Sequence, residues 1–275
     1  MKNNNASTPL ISTDAFKKYN LSQTWIKDES VNLSGTIKDR RNKMILKEAD
    51  RLKIDKLVII TSGNNGYSLA KFAKETNIKV VCVVNRTLNK EVLDILKKVS
   101  YQVIEVNLNE KILRPEEIIA FARERDDEVI WDVTNGYEDA YIPLFGEIFS
   151  ELKKVDYIVV PLGSGGIYMG AIQAIERFRK NTTVIGVGTQ SSYHSTADKL
   201  STPWTPYAKA IENYTKVGHP VFRLTEQEIK STFQKYQHLA RTEPSSCVVF
   251  IAPEKFSFKK DDCIVFLNSG RLIVE

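Results

Sequence analysis

Short apolar runs rich in β-branched residues alternate along the chain with segments in which apolar residues recur every three or four positions. The first pattern is typical of strands and the second of helices, so the alternation indicates βαβ units. The sequence therefore predicts an α/β fold with mostly parallel sheets. Seven runs are predicted as strands: 57–60, 80–84, 103–106, 129–131, 157–160, 184–187 and 263–267.

Two apolar stripes at helical spacing are expected to face the hydrophobic core. They consist of Leu69, Phe72 and Ala73 after the first predicted strand, and of Met169, Ile172, Ile175 and Phe178 after the fifth. The segment 195–218 has weak periodicity and is predicted to be a loop with short helices. Long irregular segments of this kind often form lids or binding loops, although simple packing explains the pattern equally well.

The length of 275 residues and the hydrophobic content of 42% suffice for a sizeable core, in one large domain or two modest ones. No repeat, low-complexity tract or long linker interrupts the chain, so two domains would have to pack closely. The polar N-terminus, residues 1–5, lacks the apolar stretch of a signal peptide, and no run of about 18 apolar residues occurs. We therefore expect a cytoplasmic protein without a membrane span.

Charge and metal-binding residue types narrow the functional classes. The net charge of +5 is spread along the chain, which gives a nucleic-acid surface little support and suits a small anionic ligand equally well. The cysteines are odd in number and lack CxxC spacing, which argues against a disulfide framework: Cys82, Cys247 and Cys263. The histidines lack metal-ligand spacing, so we expect no metal site: His194, His219 and His238.

A polar, glycine-containing turn follows the first predicted strand directly. Its sequence is Thr61-Ser62-Gly63-Asn64-Asn65-Gly66, and a helix is predicted to begin near Tyr67. Hydroxyls, carboxamides and backbone N–H groups at a helix N-terminus favour an anion such as a carboxylate or phosphate. The alternative is a plain strand-to-helix turn, in which glycine supplies unusual dihedral angles and Ser or Asn caps the helix.

A second turn, Gly163-Ser164-Gly165-Gly166, follows the strand predicted at 157–160. Its small residues let a ligand approach the backbone closely, and successive N–H groups can surround a phosphate dianion. The turn lacks both the dinucleotide-binding and the nucleoside-triphosphate motifs, so those ligands are disfavoured.

Two further segments carry candidate chemistry. Asn268-Ser269-Gly270-Arg271 places a hydroxyl at the carboxyl end of the last predicted strand, the sheet edge at which ligands bind in open α/β folds. Lys38 lies in Ser34-Gly35-Thr36-Ile37-Lys38-Asp39-Arg40, a small-residue turn that opens a predicted helix. A single lysine is usually a surface charge. In a chain that also contains two turns suited to bind an anionic cofactor, however, its primary amine suggests a Schiff base.

Taken in chain order, from the Lys38 motif to the Ser269 motif, the four motifs resemble those of the fold-type II pyridoxal-phosphate enzymes, the family of cysteine synthase, cystathionine β-synthase, threonine synthase and serine/threonine dehydratase. The resemblance covers nearly the whole chain and implies two closely packed α/β sub-domains with mostly parallel sheets, as in the tryptophan synthase β-subunit. It further implies a larger phosphate-binding domain of residues 1–40 plus 142–275, a smaller substrate-loop domain of residues 41–141, and a homodimer.

The resemblance also implies a role for each motif position. Lys38 would bind pyridoxal 5'-phosphate as a Schiff base and then act as the catalytic base, and Asn64 would bind the 3-oxygen of the ring. Ser269 would meet the pyridine nitrogen. The remaining positions would bind the substrate carboxylate (Thr61, Ser62, Asn65) and the phosphate (Gly163, Ser164, Gly165, Gly166).

A neutral serine at the pyridine nitrogen does not force ring protonation, so β-elimination and β-replacement are expected to prevail over transamination and racemisation. The predicted activity is cysteine synthase-like, on serine or an O-activated serine. Threonine synthase-like γ-replacement, dehydration of serine or threonine, and a catalytically silent cofactor-binding or partner-binding protein stay open as alternatives.

Several residues depart from the cysteine synthase pattern. Asn65 replaces a threonine, and Ile167 replaces a polar residue after the phosphate turn. Asp132 lies where a glutamine is usual, and would either bind a cationic substrate group or cap its own loop, with the second reading preferred. Glu243-Pro244-Ser245-Ser246 resembles a turn of the dehydratases and threonine synthases instead.

Overall fold

The computed structural model describes residues 7–110, 112–191, 195–202 and 204–273. Residues 1–5 and His194, on which two of the predictions above rest, therefore lie outside the described residues. The contacts divide the chain into two compact units. One contains Thr36–Tyr137 and the described end of the chain at Ile273, and the other contains 7–35 and Glu138–Leu272. The predicted domain boundaries stay a prediction.

In the described part of the chain the strands are β1 (Leu10–Ser12), β2 (Gln23–Asp28), β3 (Lys56–Ile60), β4 (Lys79–Asn85), β5 (Gln102–Val106), β6 (Ile130–Asp132), β7 (Tyr157–Pro161), β8 (Thr183–Thr189), β9 (Val221–Leu224) and β10 (Cys263–Asn268). The α-helices are α1 (Lys38–Arg51), α2 (Asn64–Ala73), α3 (Lys90–Val99), α4 (Pro115–Ala122), α5 (Ile142–Glu151), α6 (Gly166–Arg177), α7 (Ala208–Lys216), α8 (Glu226–Tyr236), α9 (Pro244–Cys247) and α10 (Ala252–Lys255). Short 3₁₀ helices span Lys17–Tyr19, Glu29–Val31, Glu138–Tyr141, Asp198–Leu200 and Val248–Ile251.

The unit containing Thr36–Tyr137 is built on a four-stranded parallel sheet in the order β5-β4-β3-β6. Successive side chains of a strand point to opposite faces, and both faces of this sheet are apolar. Leu57 and Ile59 of β3 belong to one buried cluster together with residues of α1 and α2. Val58 belongs to a second cluster with Ile118 of α4. This burial on both faces explains the continuous apolar run 57–60.

The second unit is built on a six-stranded sheet in the order β1-β2-β10-β7-β8-β9, parallel except for β1, which pairs antiparallel with β2. Its core contains Phe16, Phe250 and Phe266, and the rings of Phe16 and Phe266 lie 4.6 Å apart. Because β10 pairs with both β2 and β7, the carboxyl ends of these strands share one sheet edge.

The predicted α/β class with mostly parallel sheets is confirmed. Each of the seven predicted strands falls on an observed strand, whereas β1, β2 and β9 were missed. The expected core stripe of α6 is only partly correct, since Met169 is half-buried and Phe178, just past the helix, is 40% exposed. The helix buries Tyr168 and Ala171 instead. All three cysteines are buried free thiols.

Candidate active site

Lys38 is the first residue of α1, and its backbone N–H donates to Thr36 Oγ1 at 3.3 Å. The side chain is half-buried. Gly35, just upstream, has a φ of +72°, and a Cβ at this position would lie 2.9 Å from Arg271 Nε. The sharp turn that starts the lysine helix therefore depends on glycine.

The helix that begins at Lys38 is bonded to the N-terminal end of α2. Ser68 Oγ donates to the buried carboxylate of Asp39 at 2.7 Å, and Asn42 Nδ2 donates to the Asn65 carbonyl at 3.0 Å. The structure therefore brings together two predicted parts of the site, the lysine helix and the carboxylate turn.

The carboxylate turn is organised by Thr61, whose Oγ1 accepts from the backbone N–H groups of Gly63 at 3.1 Å and Gly66 at 3.0 Å. Because these bonds use its oxygen as acceptor, the Thr61 hydroxyl proton can still be donated to a ligand. A Cβ at Gly66 would lie 2.5 Å from Thr61 Cγ2, so the turn requires glycine there. Asn64 is buried, and α2 begins at it.

The loop after β6 shows what Asp132 does. Asp132 Oδ1 accepts from Thr134 N at 2.9 Å and from Thr134 Oγ1 at 2.6 Å. Burial raises the pKa of Asp132, while the bonds from Thr134 act in the opposite direction. These contacts favour the loop-capping alternative over a substrate contact.

The same loop is held from α1 by Arg41, which is 3% exposed. Its guanidinium donates to the carbonyls of Val133 at 2.5 Å, Asn135 at 3.2 Å and Gly136 at 3.0 Å. Sequence reasoning missed this residue, because a second arginine after the Lys-Asp-Arg motif carries no pattern that points to a loop 92 residues away.

The phosphate turn lies in the unit built on the six-stranded sheet, between β7 and α6. Gly165 has a φ of +101° and precedes Gly166, the first residue of α6, so backbone N–H groups at this end have no partner within the helix. The positive end of the helix dipole adds to the attraction for a dianion.

Residues on both sides of position 203 pack against the phosphate turn: Lys199 and Leu200 before it, and Thr205, Tyr207 and Ile211 after it. A Cβ at Gly163 would lie 3.0 Å from the Lys199 carbonyl, and one at Gly165 would lie 3.0 Å from Ile211 Cδ1. The Ser164 carbonyl accepts from Thr205 Oγ1. The region predicted as a loop with short helices contains the 3₁₀ turn Asp198–Leu200 and α7, and its contacts favour small residues at Gly163 and Gly165.

Ser269 directly follows β10, and its Oγ lies 2.8 Å from Ser246 Oγ. The preceding residue, Asn268, is fully buried, and its Nδ2 donates to Asp28 Oδ1 at 2.7 Å and to the Arg241 carbonyl at 3.0 Å. The position of Ser269 at the strand end is therefore fixed on both sides.

Lys199 links the segment behind the phosphate turn to the turn that carries Ser246. Its Nζ lies 2.8 Å from Glu243 Oε2, and its backbone N–H donates to Ser245 Oγ at 3.2 Å. Burial alone would lower the pKa of Lys199, but the carboxylates of Glu243 and Asp198 outweigh it and raise the pKa. The Glu-Pro-Ser-Ser motif was the only sequence signal for this cluster.

Within residues 7–110, 112–191, 195–202 and 204–273, no group of three or more His, Cys, Asp or Glu side chains could hold a metal ion. Among the helices of these residues, none is long and apolar enough to cross a membrane.

The same fold occurs in solved structures of fold-type II pyridoxal-phosphate enzymes. An O-acetylserine dependent cystathionine beta-synthase from Helicobacter pylori matches with a TM-score of 0.79 and 20% identity, over 97% of this chain and 93% of the other. An O-ureido-L-serine synthase, solved with O-ureido-L-serine bound as its K43A mutant, matches with a TM-score of 0.77 and 15% identity, over 96% and 87% of the two chains.

The chain belongs to the pyridoxal-phosphate dependent enzyme family, whose model matches residues 1–270. It is therefore a pyridoxal-phosphate-dependent enzyme, and the predicted cofactor is confirmed. A cystathionine beta-synthase from Dictyostelium discoideum is 26% identical over 251 residues, covering 86% of this chain and 50% of the relative. The chain thus spans about half the length of this curated relative.

The residues present fit the cofactor chemically. The start of α6 offers backbone N–H groups for a phosphate, and a Cβ at Gly163 or Gly165 in the turn before it would crowd its neighbours at 3.0 Å. Lys38 offers a primary amine at the start of α1, and Ser269 offers a hydroxyl at the end of β10.

Proposed function

We propose that the chain catalyses β-replacement or β-elimination on serine or an O-activated serine, in the manner of a cysteine synthase. The observation that carries the proposal is the neutral hydroxyl pair of Ser269 and Ser246, 2.8 Å apart at the end of β10. A hydroxyl, unlike a carboxylate, does not force a proton onto the ring nitrogen. The weaker electron sink that results favours a substrate whose β-leaving group carries electrons away.

The substrate class is supported by the neighbours in fold. One solved structure is of an O-acetylserine dependent enzyme and another has O-ureido-L-serine bound, so this fold hosts serine substituted at oxygen. At 20% and 15% identity to this chain they share its fold, and the substrate class is carried over from them only as part of this proposal.

In the proposed reaction the cofactor, when bound, supplies the electron sink for the charge left by removal of the α-proton. Lys38 would hold the cofactor as a Schiff base and, once displaced by the substrate amine, take that proton at its Nζ. Asn64 would bind the 3-oxygen of the ring and Ser269 would meet the ring nitrogen. The other proposed contacts are to the substrate carboxylate (Thr61, Ser62, Asn65) and to the phosphate (Gly163, Ser164, Gly165, Gly166).

The carboxylate role of the 61–65 turn has a physical basis in the unit that contains it. The Thr61 oxygen accepts from two backbone N–H groups, and neither bond uses its own proton, which can be donated to an incoming anion. The N-terminal end of α2 adds the positive pole of the helix dipole.

The test compares wild-type protein with Lys38→Ala after loading with pyridoxal phosphate. We expect a borohydride-reducible link between cofactor and protein in the wild type and its loss in the variant. Reduction that still links the cofactor to Lys38→Ala would overturn the assignment of the lysine.

The reaction type is tested by supplying serine, O-acetylserine with sulfide, and O-phosphohomoserine in separate assays. We expect cysteine and acetate from O-acetylserine and sulfide, with or without pyruvate and ammonia from serine. Turnover of O-phosphohomoserine alone would replace the proposal by threonine synthase-like γ-replacement.

Dehydration of serine or threonine is the second candidate, because the Glu243-Pro244-Ser245-Ser246 turn resembles one found in dehydratases and threonine synthases. Glu243 is buried and paired with Lys199, so the turn is firmly built. Pyruvate and 2-oxobutyrate formed from serine and threonine, without cysteine from O-acetylserine and sulfide, would favour this candidate.

A catalytically silent cofactor-binding or partner-binding protein is the alternative from another class. A wild type that takes up the cofactor reversibly through Lys38, yet releases no product from any of these amino acids, would support it.

The assembly and location are further parts of the proposal. We propose a cytoplasmic homodimer in which 1–40 plus 142–275 form the phosphate-binding domain and 41–141 the substrate-loop domain, with no nucleic-acid or membrane partner. Sedimentation equilibrium of the loaded protein tests the dimer, and a mass near one chain of 31.3 kDa would contradict it.

A further inference from the structure

The hydroxyl pair at the end of β10 consists of two unlike members. Ser246 lies in α9 and is fully buried, whereas Ser269 follows β10 and is half-buried. Their oxygens lie 2.8 Å apart, an ordinary hydrogen-bond distance for two hydroxyls. Only Ser269 therefore has an exposed side from which it can meet a ligand.

The number of hydroxyl protons indicates which serine is the donor in the bond between Ser246 and Ser269. In the described part of the chain, Ser269 Oγ is the only hydrogen-bond partner of Ser246 Oγ. A hydroxyl has one proton, and a buried donor left without an acceptor is costly. The arrangement that satisfies Ser246 is the one in which it donates to Ser269.

That direction determines what Ser269 can do. With one of its lone pairs taken by Ser246, the Ser269 hydroxyl has its own proton left to donate elsewhere. A hydroxyl that accepts a hydrogen bond is also a stronger donor, because bonds in a chain polarise one another. Ser269 is thereby biased to donate to the ring nitrogen and to accept poorly from a protonated one.

The turn that carries Ser246 is held independently of Ser269. Ser246 N–H donates to the Glu243 carbonyl at 3.0 Å, and the Glu243 carboxylate is paired with Lys199. Ser245, the neighbouring hydroxyl, accepts from Lys199 N–H. Ser246 is therefore presented to Ser269 from a fixed support.

We propose that Ser246 is a positioning residue, whose buried hydroxyl donates to Ser269, directs the Ser269 proton to the pyridine nitrogen and so keeps that nitrogen unprotonated. The inference rests on the proposed cofactor role of Ser269. It adds a residue that does not touch the cofactor and acts through another side chain.

The test uses protein loaded with pyridoxal phosphate that carries ¹⁵N in the ring, and follows the ring-nitrogen resonance as the pH is lowered. The variants are Ser246→Ala and Ser245→Ala. The second removes an adjacent buried hydroxyl that supports the same turn through Lys199 and leaves the Ser246 hydroxyl in place, so it serves as the matched control.

We expect the resonance of Ser246→Ala to move upfield, toward that of a protonated pyridine, at a higher pH than in the wild type. Ser245→Ala is expected to follow the wild-type curve. Coincident curves for wild type and Ser246→Ala would overturn the proposal, and so would an equal displacement in both variants, since loosening of the turn then explains the change.

A further variant guards against loss of folding. Ser246→Cys keeps the side-chain shape but is a weaker donor, so an intermediate displacement is expected, and a wild-type curve for a folded Ser246→Cys would also contradict the proposal. Failure of the wild type to form a borohydride-reducible link to the cofactor would instead overturn the proposed function.

Discussion

Arg41 shows how much a single buried side chain contributes to the geometry of the candidate site. One guanidinium satisfies three backbone carbonyls of the loop 133–136, at distances between 2.5 and 3.2 Å. Buried carbonyls need such partners, and only a planar fork of donors reaches several at once. The loop is therefore held from the helix that begins at Lys38.

We expect Arg41→Lys to lower the free energy of unfolding by about 1–3 kcal/mol, because a single ammonium leaves buried carbonyls without a donor. Urea unfolding followed by circular dichroism measures it. Lys47→Met, an exposed position on the same helix, is the control, and we expect a change within about 0.5 kcal/mol. A lysine variant as stable as the wild type would show that the carbonyls are satisfied in another way.

At the scale of elements, a buried ion pair joins the loop between α4 and β6 to the start of β3. Lys56 is fully buried, its Nζ lies 2.8 Å from Glu128 Oε1, and it also donates to the Ala122 carbonyl. The bond from Lys56 and those from the backbone N–H groups of Glu124 and Arg125 lower the pKa of Glu128 to about 2.

Because the pKa of Glu128 is lowered in the folded protein, the free energy of unfolding is expected to fall as the pH falls. The contribution of Glu128 is complete above its ordinary pKa of 4.5 and is lost as the pH falls toward 2. We expect Glu128→Gln to make the free energy of unfolding fall less steeply between pH 4.5 and pH 2. Urea unfolding across this range measures the slope, and exposed Glu91→Gln should keep the wild-type slope. An unchanged slope in Glu128→Gln would contradict the prediction.

The elements differ in how well the sequence predicts them, and burial explains the difference. The strands that were predicted from the sequence are apolar on the faces that they bury, as residues 57–60 are. Strand β2 was missed because it contains Lys27, whose charge suggests a loop. In the structure Lys27 is buried, with its Nζ 2.6 Å from the Thr8 carbonyl and 2.8 Å from Glu147 Oε2. Such partners, 19 and 120 residues away, leave no local pattern.

For the whole molecule, the order of motifs was enough to predict the fold and the cofactor, because each motif is a contiguous turn next to a strand. The contacts that support those turns are not contiguous. Ser246 and Ser269 are 23 residues apart, and Lys199 reaches Ser245 from 46 residues away. Only the tertiary structure brings these side chains together, so the sequence pointed to the residues that would touch the cofactor, and it marked the turn that carries Ser245 and Ser246 without showing what that turn supports.

Cofactor binding is also a property of the whole chain, since a ligand that binds only the native state stabilises it by mass action. At a free concentration 100 times its dissociation constant, pyridoxal phosphate should add about 2.7 kcal/mol to the free energy of unfolding.

Pyridoxal at the same concentration should add less, because the N–H groups at the start of α6 then have no dianion to bind. Urea unfolding of the cofactor-free protein with each compound measures both effects. Equal stabilisation by pyridoxal phosphate and pyridoxal would contradict a phosphate role for the turn 163–166. If the two compounds stabilise the wild type unequally but Lys38→Ala equally, the lysine and not the turn distinguishes them.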